Sequence, residues 1–159
     1  MVRHCMEVAA LILVLALSAC EREHQAEPPP PRVMNAFHLN AYEKDFGYSQ
    51  AILVDKTLYV SGSMAVDSNG RLVSPGDMAG QMRAAYSNIQ RTLAANGANF
   101  DEVVKETIYT TNMDELLKAT DLRFEYYDKE RPPTTSWVQV QRLVDPGFLV
   151  QIEVVAELP

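Results

Sequence analysis

The residues best placed to do chemistry lie near the C-terminal end, in Pro132-Pro133-Thr134-Thr135-Ser136-Trp137-Val138-Gln139-Val140-Gln141-Arg142-Leu143 and in Leu149-Val150-Gln151-Ile152-Glu153. Both read as strands with period-two alternation. Thr135, Trp137 and Gln139 therefore share one face of the first strand, opposite Val138 and Val140, while Gln151 and Glu153 share one face of the second, opposite Val150 and Ile152. A hydroxyl, an indole and amides supply hydrogen bonds and a stacking surface. Glu153 adds a carboxylate, an acid or base wherever it faces a cleft and otherwise a solvated or paired group. The turn Asp145-Pro146-Gly147 between the strands predicts a β-hairpin that closes the domain.

Other chemistries are excluded more simply. The chain has 159 residues, with 14 Lys plus Arg against 21 Asp plus Glu, and no basic cluster that would track a phosphate backbone. Nucleic acid is not an expected partner. Of its three histidines, His4, His24 and His38, the last falls in the part expected to fold, so a histidine metal site is not expected within one subunit. Residues 1–19 carry Arg3 and His4, a short apolar run from Val8 to Leu17, and then Leu17-Ser18-Ala19-Cys20. The run is shorter than the ~20 residues that span a bilayer, and the pattern reads as a secretory signal. Its ending resembles the lipobox of bacterial lipoproteins, with Cys20 as the lipidated first mature residue. Residues 20–34, with Pro28-Pro29-Pro30-Pro31, read as an extended tether. The expected location is thus the periplasmic face of a bacterial membrane, the outer one because Glu21 rather than aspartate follows the cysteine.

The elements that must position the polar strands follow in order from residue 35. Tyr48 to Val54 and Thr57 to Gly62 predict a hairpin turning at Asp55-Lys56, with Ser61-Gly62-Ser63 ending its second strand. Arg71-Leu72-Val73 predicts a short third strand. Met78, Met82, Tyr86, Ile89 and Leu93 draw the apolar stripe of a helix capped by Asp77 and ended by Asn96-Gly97. Val103 to Thr111 predicts a strand, and Asn112 with Glu115 the start of a second helix whose buried face is Met113, Leu117, Phe124 and Tyr127. The order β-β-β-α-β-α-β-β implies an α+β domain over 35–159, a mixed sheet with two helices packed on one face.

Set together, Gly47-Tyr48-Ser49-Gln50-Ala51, Leu58-Tyr59-Val60-Ser61-Gly62, Asn96-Gly97-Ala98, Val103-Val104-Lys105, Val138-Gln139-Val140-Gln141-Arg142-Leu143 and Val150-Gln151-Ile152-Glu153 resemble the reactive intermediate deaminase (Rid, RidA-like) family. The resemblance implies a chorismate-mutase-like fold, a homotrimer with small-molecule clefts between subunits, and cofactor-free hydrolysis of enamines and imines to keto acids and ammonia. Carried onto this chain, it marks Tyr48, Ser61, Gly62, Thr135, Trp137 and Gln151 as ligand-binding, with Thr135, Gln151 and Glu153 as catalytic candidates. Thr135 stands where the family carries its carboxylate-binding arginine, Trp137 where it often has a small residue or cysteine, and Gln151 where it has a water-positioning glutamate. Thr120 or Asp121 replaces the usual asparagine. Arg131 and Arg142 are the arginines nearest in sequence to the altered strand. Two functions stay open: an imine deaminase working without the arginine, and a membrane-tethered lipoprotein that binds a small neutral or aromatic ligand without turnover.

Overall fold

The computed structural model describes residues 34–159, so the signal, Cys20 and most of the tether lie outside the described residues. Six strands form one mixed sheet: β1 (Met34–Phe37), β2 (Ala51–Val54), β3 (Thr57–Ser63), β4 (Val103–Thr110), β5 (Thr134–Gln139) and β6 (Val150–Glu157), in the spatial order β1-β2-β3-β6-β4-β5. Helix α1 (Tyr42–Asp45) is a single turn, α2 (Met78–Ala95) is the long helix, and α3 (Met113–Ala119) runs on into a 3-10 segment, Thr120–Glu125. The α+β class and the order of strands and long helices are as the sequence predicts; α1 is an addition.

The long helix forms where its stripe requires. Met78, Met82, Tyr86, Ile89 and Leu93 are all buried against β3 and β6, and the Asp77 carboxylate accepts from Gly80 N at 3.0 Å to cap the helix. Gly97, at φ +77°, takes the left-handed turn that ends it. On the facing strand, Val150, Ile152, Val154 and Ala156 of β6 are buried in alternation and complete one core with Leu58, Val60 and Ile108. The second helix rotates away from its predicted face. Leu116 and Leu122 are buried while Leu117 and Phe124 are 51% and 38% exposed: within the α-helical part it is Leu116 that faces the core, and from Thr120 the winding changes to 3-10. Tyr127 is buried as predicted.

Two further expectations are corrected. The strands containing Trp137 and Gln151 do not pair as a hairpin: β5 runs parallel to β4 at the sheet edge, and β6 lies antiparallel between β3 and β4. A β6 with one wholly buried face needs partners on both sides, whereas β5, polar and largely exposed, is suited to an edge. A parallel neighbour for β4 is what a helical crossover delivers.

Residues 71–73 form no strand. They contribute one bridge, Val66 with Leu72, and β1 fills the third-strand role at the opposite edge, beside β2. The cause is Asp67, whose carboxylate accepts from Asn69 N and Arg71 N and pairs with the Arg71 guanidinium at 2.8 Å, closing a local loop instead of a ladder. Those bonds, led by the Arg71 backbone amide, lower the Asp67 carboxyl from 3.8 to about 2. A depressed folded value stabilises the protein above the unfolded value and loses that contribution as pH falls from about 4 toward 2. Unfolding midpoints measured across that range should fall less steeply in Asp67→Asn than in the parent.

Candidate functional site

The predicted site residues separate into two groups on opposite faces of the sheet. Thr135, Trp137 and Gln139 stand beside Glu106, Ile108 and Thr110 of β4 on the helix-covered face. Gln151 and Glu153 stand beside Tyr109 and Thr107 on the open face. Within one chain they cannot converge. Strand alternation predicts both sets of neighbours; the sheet order decides that the sets face apart.

On the helix side the centre is a residue that sequence reasoning passed over. Glu106 is fully buried, its Oε1 accepting from Tyr86 Oη at 2.8 Å and its Oε2 from Arg123 Nε at 2.8 Å and Thr135 Oγ1 at 3.0 Å. Trp137 Nε1 donates to Thr135 Oγ1 at 3.0 Å. The Arg123 guanidinium lies between two rings, 5.5 Å from the Trp137 centroid and 5.6 Å from that of Tyr127, in cation-π range of both. Arg123 is 7% exposed, and its Nη2 and the Tyr127 hydroxyl are buried without hydrogen-bond partners. Burial, reinforced by Glu106, raises the Tyr86 and Tyr127 phenols far above their ordinary value, so both stay protonated.

This cluster has a chemical consequence. Position 135 presents a threonine already donating to a carboxylate, and position 137 an indole already donating to that threonine. The nearby cation is neutralised by Glu106. Arg131, considered from sequence as a substitute, pairs with Asp128 at 3.4 Å on the surface, and Arg142 is exposed. The legible signal for the cluster was Glu106 itself, a charged residue in phase with Ile108 and Thr110 on the apolar face of a strand, with Arg123 one helical turn before Tyr127.

The open-face group is built around a bulge. Register shifts between Val60 and Ser63, so Ser61 and Gly62 together oppose β6 there. A Cβ on Gly62 would overlap the Gln151 side chain, whose Cγ would lie 2.8 Å away; glycine is needed for the glutamine to lie across the bulge. Ser61 Oγ donates to Ser49 O at 2.7 Å, and Gln50 Nε2 donates to Ser63 Oγ at 3.0 Å, tying the bulge to the segment that carries Tyr48. Tyr48 and Gly62 line one crevice. Burial, with Tyr42 and Glu43 adding to it, raises the Tyr48 phenol, leaving a neutral hydrogen-bond donor. Glu153 accepts from Tyr109 Oη at 3.3 Å and lines an open-face groove of about 340 Å³ with Tyr59, Lys105 and Thr107. Gln139 is occupied, its Oε1 accepting from Met113 N at 3.1 Å at the start of α3.

The Gly62 contact predicts a coupling. Gly62→Ala should displace Gln151 and cost about 1–3 kcal/mol, as overpacking does. Gly62→Ala combined with Gln151→Ala should cost less than the sum of the two, read by urea denaturation of all three variants.

The sequence model of the Endoribonuclease L-PSP family matches residues 39–158. The chain is 36% identical over 110 residues to the 2-iminobutanoate/2-iminopropanoate deaminase of Bos taurus, covering 69% of this chain and 78% of that protein, and matches the Homo sapiens protein of the same name at the same identity and coverage. Among solved structures, a conserved Rid family protein of unknown function from Yersinia pestis superposes with a TM-score of 0.72 at 33% identity, covering 79% of this chain and all of that one. A member of the YjgF/YER057c/UK114 family from Mycobacterium tuberculosis superposes at 0.68 with 28% identity, covering 79% of this chain and 100% of that one.

Proposed function

Because the chain belongs to the Rid/YjgF/L-PSP family, we propose that it hydrolyses imines or enamines to carbonyl compounds and ammonia, in clefts between copies of itself, on substrates that need no tight carboxylate clamp. The observation that carries this reading is the tie from Thr135 to the Glu106–Arg123 pair. It leaves a net-neutral wall where a free guanidinium would otherwise hold a substrate anion. The half-exposed Trp137 ring adds an apolar, planar surface beside it. The deaminase names of the relatives support the reaction class. The family takes its name from an endoribonuclease, but a formal net charge of −7 makes a small molecule the better-suited substrate than RNA.

A homotrimer accounts for the divided site. With Thr135 and Trp137 on one sheet face and Gln151, lying across Gly62, on the other, a complete cleft needs one group from each of two neighbouring copies. The test pairs sedimentation of the domain beginning after Arg32 with hydrolysis assays on freshly generated 2-aminoacrylate and on a neutral imine of similar size. A trimer with release faster than the protein-free control, favouring the neutral imine, is the expected result. Control rates on both substrates would overturn the reading.

A second reading, ligand capture without turnover, is favoured by Gln151, whose amide orients water but takes no proton at neutral pH. Saturable ligand binding alongside control rates would select it. For placement in the cell, we propose a lipid anchor on Cys20 at the periplasmic face of the outer membrane, supported by the pattern of residues 1–20. Cys20→Ser should move the protein from the membrane fraction to the soluble one; retention in the membrane would count against the anchor.

A further inference from the structure

We infer that the outer face of Trp137 is a subsite for an aromatic ring, and that the substrates of this cleft are neutral imines or enamines bearing an aryl group. The reaction rests on the hydrolase reading; the ring specificity rests on how the indole is held.

Three layers stack outward from the core. Tyr127 is 5% exposed and Arg123 7%, and the guanidinium lies 5.6 Å from the Tyr127 centroid and 5.5 Å from that of Trp137, the partly exposed last layer. The cation under the indole is itself fixed, since Arg123 Nε donates to Glu106 Oε2 at 2.8 Å. The edge of the indole is fixed as well, its Nε1 donating to Thr135 Oγ1 at 3.0 Å, and that threonine is tied to the same carboxylate oxygen at 3.0 Å. A ring restrained at its edge and on one face has little side-chain freedom left to lose when a ligand covers the other.

That other face is open to solvent in one copy. Strand β5 is the last of the sheet, and Thr135 and Gln139, which flank Trp137 on the same strand face, are both exposed. What complements the indole there follows from its shape and from the layer beneath it. The guanidinium occupies one side of the π cloud in cation-π range. On the opposite side an offset-stacked ring makes contact across its whole plane, which a puckered aliphatic group of the same volume cannot do. The charge of Arg123 is matched by Glu106, and its Nη2 is buried, so the subsite recognises a ring and not an anion.

The test titrates the full chain with benzamide and with cyclohexanecarboxamide, two neutral, unreactive amides of near-equal size, one with a flat ring and one with a puckered ring. The readout is the emission of Trp137, the one tryptophan of the sequence. The expected result is a saturable change with benzamide and a dissociation constant about 2–10-fold below that for cyclohexanecarboxamide, the scale of an aromatic pair beyond its buried area. Trp137→Leu, followed by ligand-observed NMR, should bind the two amides alike, while Trp137→Phe, which keeps a ring over the guanidinium, should retain the preference. In hydrolysis, kcat/KM for a phenyl-bearing imine over its cyclohexyl counterpart should show the same ratio. Because neither amide is turned over, the binding comparison decides the subsite independently of the hydrolase reading. Equal affinities in the parent, or a preference that survives Trp137→Leu, would overturn the assignment. So would an emission that responds to protein concentration and to neither amide, which would place the ring against a neighbouring copy.

Discussion

Glu106→Ala is expected to destabilise the protein by about 3–5 kcal/mol, the scale for removing one partner of a buried ion pair. The loss is large because the carboxylate serves three donors at once: Tyr86, Arg123 and Thr135. Without it Arg123, 93% buried, keeps a charge that has no counter-ion and an Nη2 that already lacks a partner. Tyr86, at the centre of an aromatic cluster with Phe100, Tyr126 and Tyr127, is left with an unpaired hydroxyl. Urea denaturation reads the loss directly. The control is Glu106→Leu with Arg123→Met and Tyr86→Phe, which removes the charges and the orphaned hydroxyl together and should recover most of the stability. A single-variant cost below about 1 kcal/mol would mean that the pair is solvated in solution, on the scale of a surface ion pair.

Thr135→Arg is expected to shift substrate preference toward imines that carry a carboxylate. A second guanidinium beside Glu106 leaves one carboxylate between two cations, so the wall gains one net positive charge. A charge-assisted hydrogen bond contributes about 1.5–3 kcal/mol, and 1.4 kcal/mol is tenfold. The ratio of kcat/KM for 2-aminoacrylate over a neutral imine should therefore rise by about 10–100-fold, through KM for the acid. Trp137 should move too, since its Nε1 loses the Thr135 oxygen as acceptor, visible as a change in the emission of the chain's one tryptophan. An unchanged ratio in a folded variant would show that position 135 does not face the substrate.

Much of this domain was legible in local pattern. The stripe from Met78 to Leu93, the caps at Asp77 and Asn112, and the hairpin turning at Asp55-Lys56 all stand where the residues place them. Each depends on neighbours within about four positions, so the information is in the segment itself. The α3 face is the complementary case: whether Leu116 or Leu117 turns inward depends on what the helix packs against, which the segment itself does not contain. Asp67 is an intermediate case, since an Asx turn with Arg71 was locally available and overrode the strand-forming Leu72-Val73.

The site divides in the same way. The sequence by itself determined which side chains share a strand face: Thr135 with Trp137, Gln151 with Glu153, because alternation is a property of one extended chain. Only the tertiary structure decided that β6 inserts between β3 and β4 while β5 goes to the edge, and hence that the two polar sets look to opposite sides of one sheet. It alone brought Glu106 to Arg123 and Thr135, and Arg123 to Trp137. Strand order is set by which apolar faces can be buried together with every backbone partner satisfied, a condition on the whole chain that no single stretch contains.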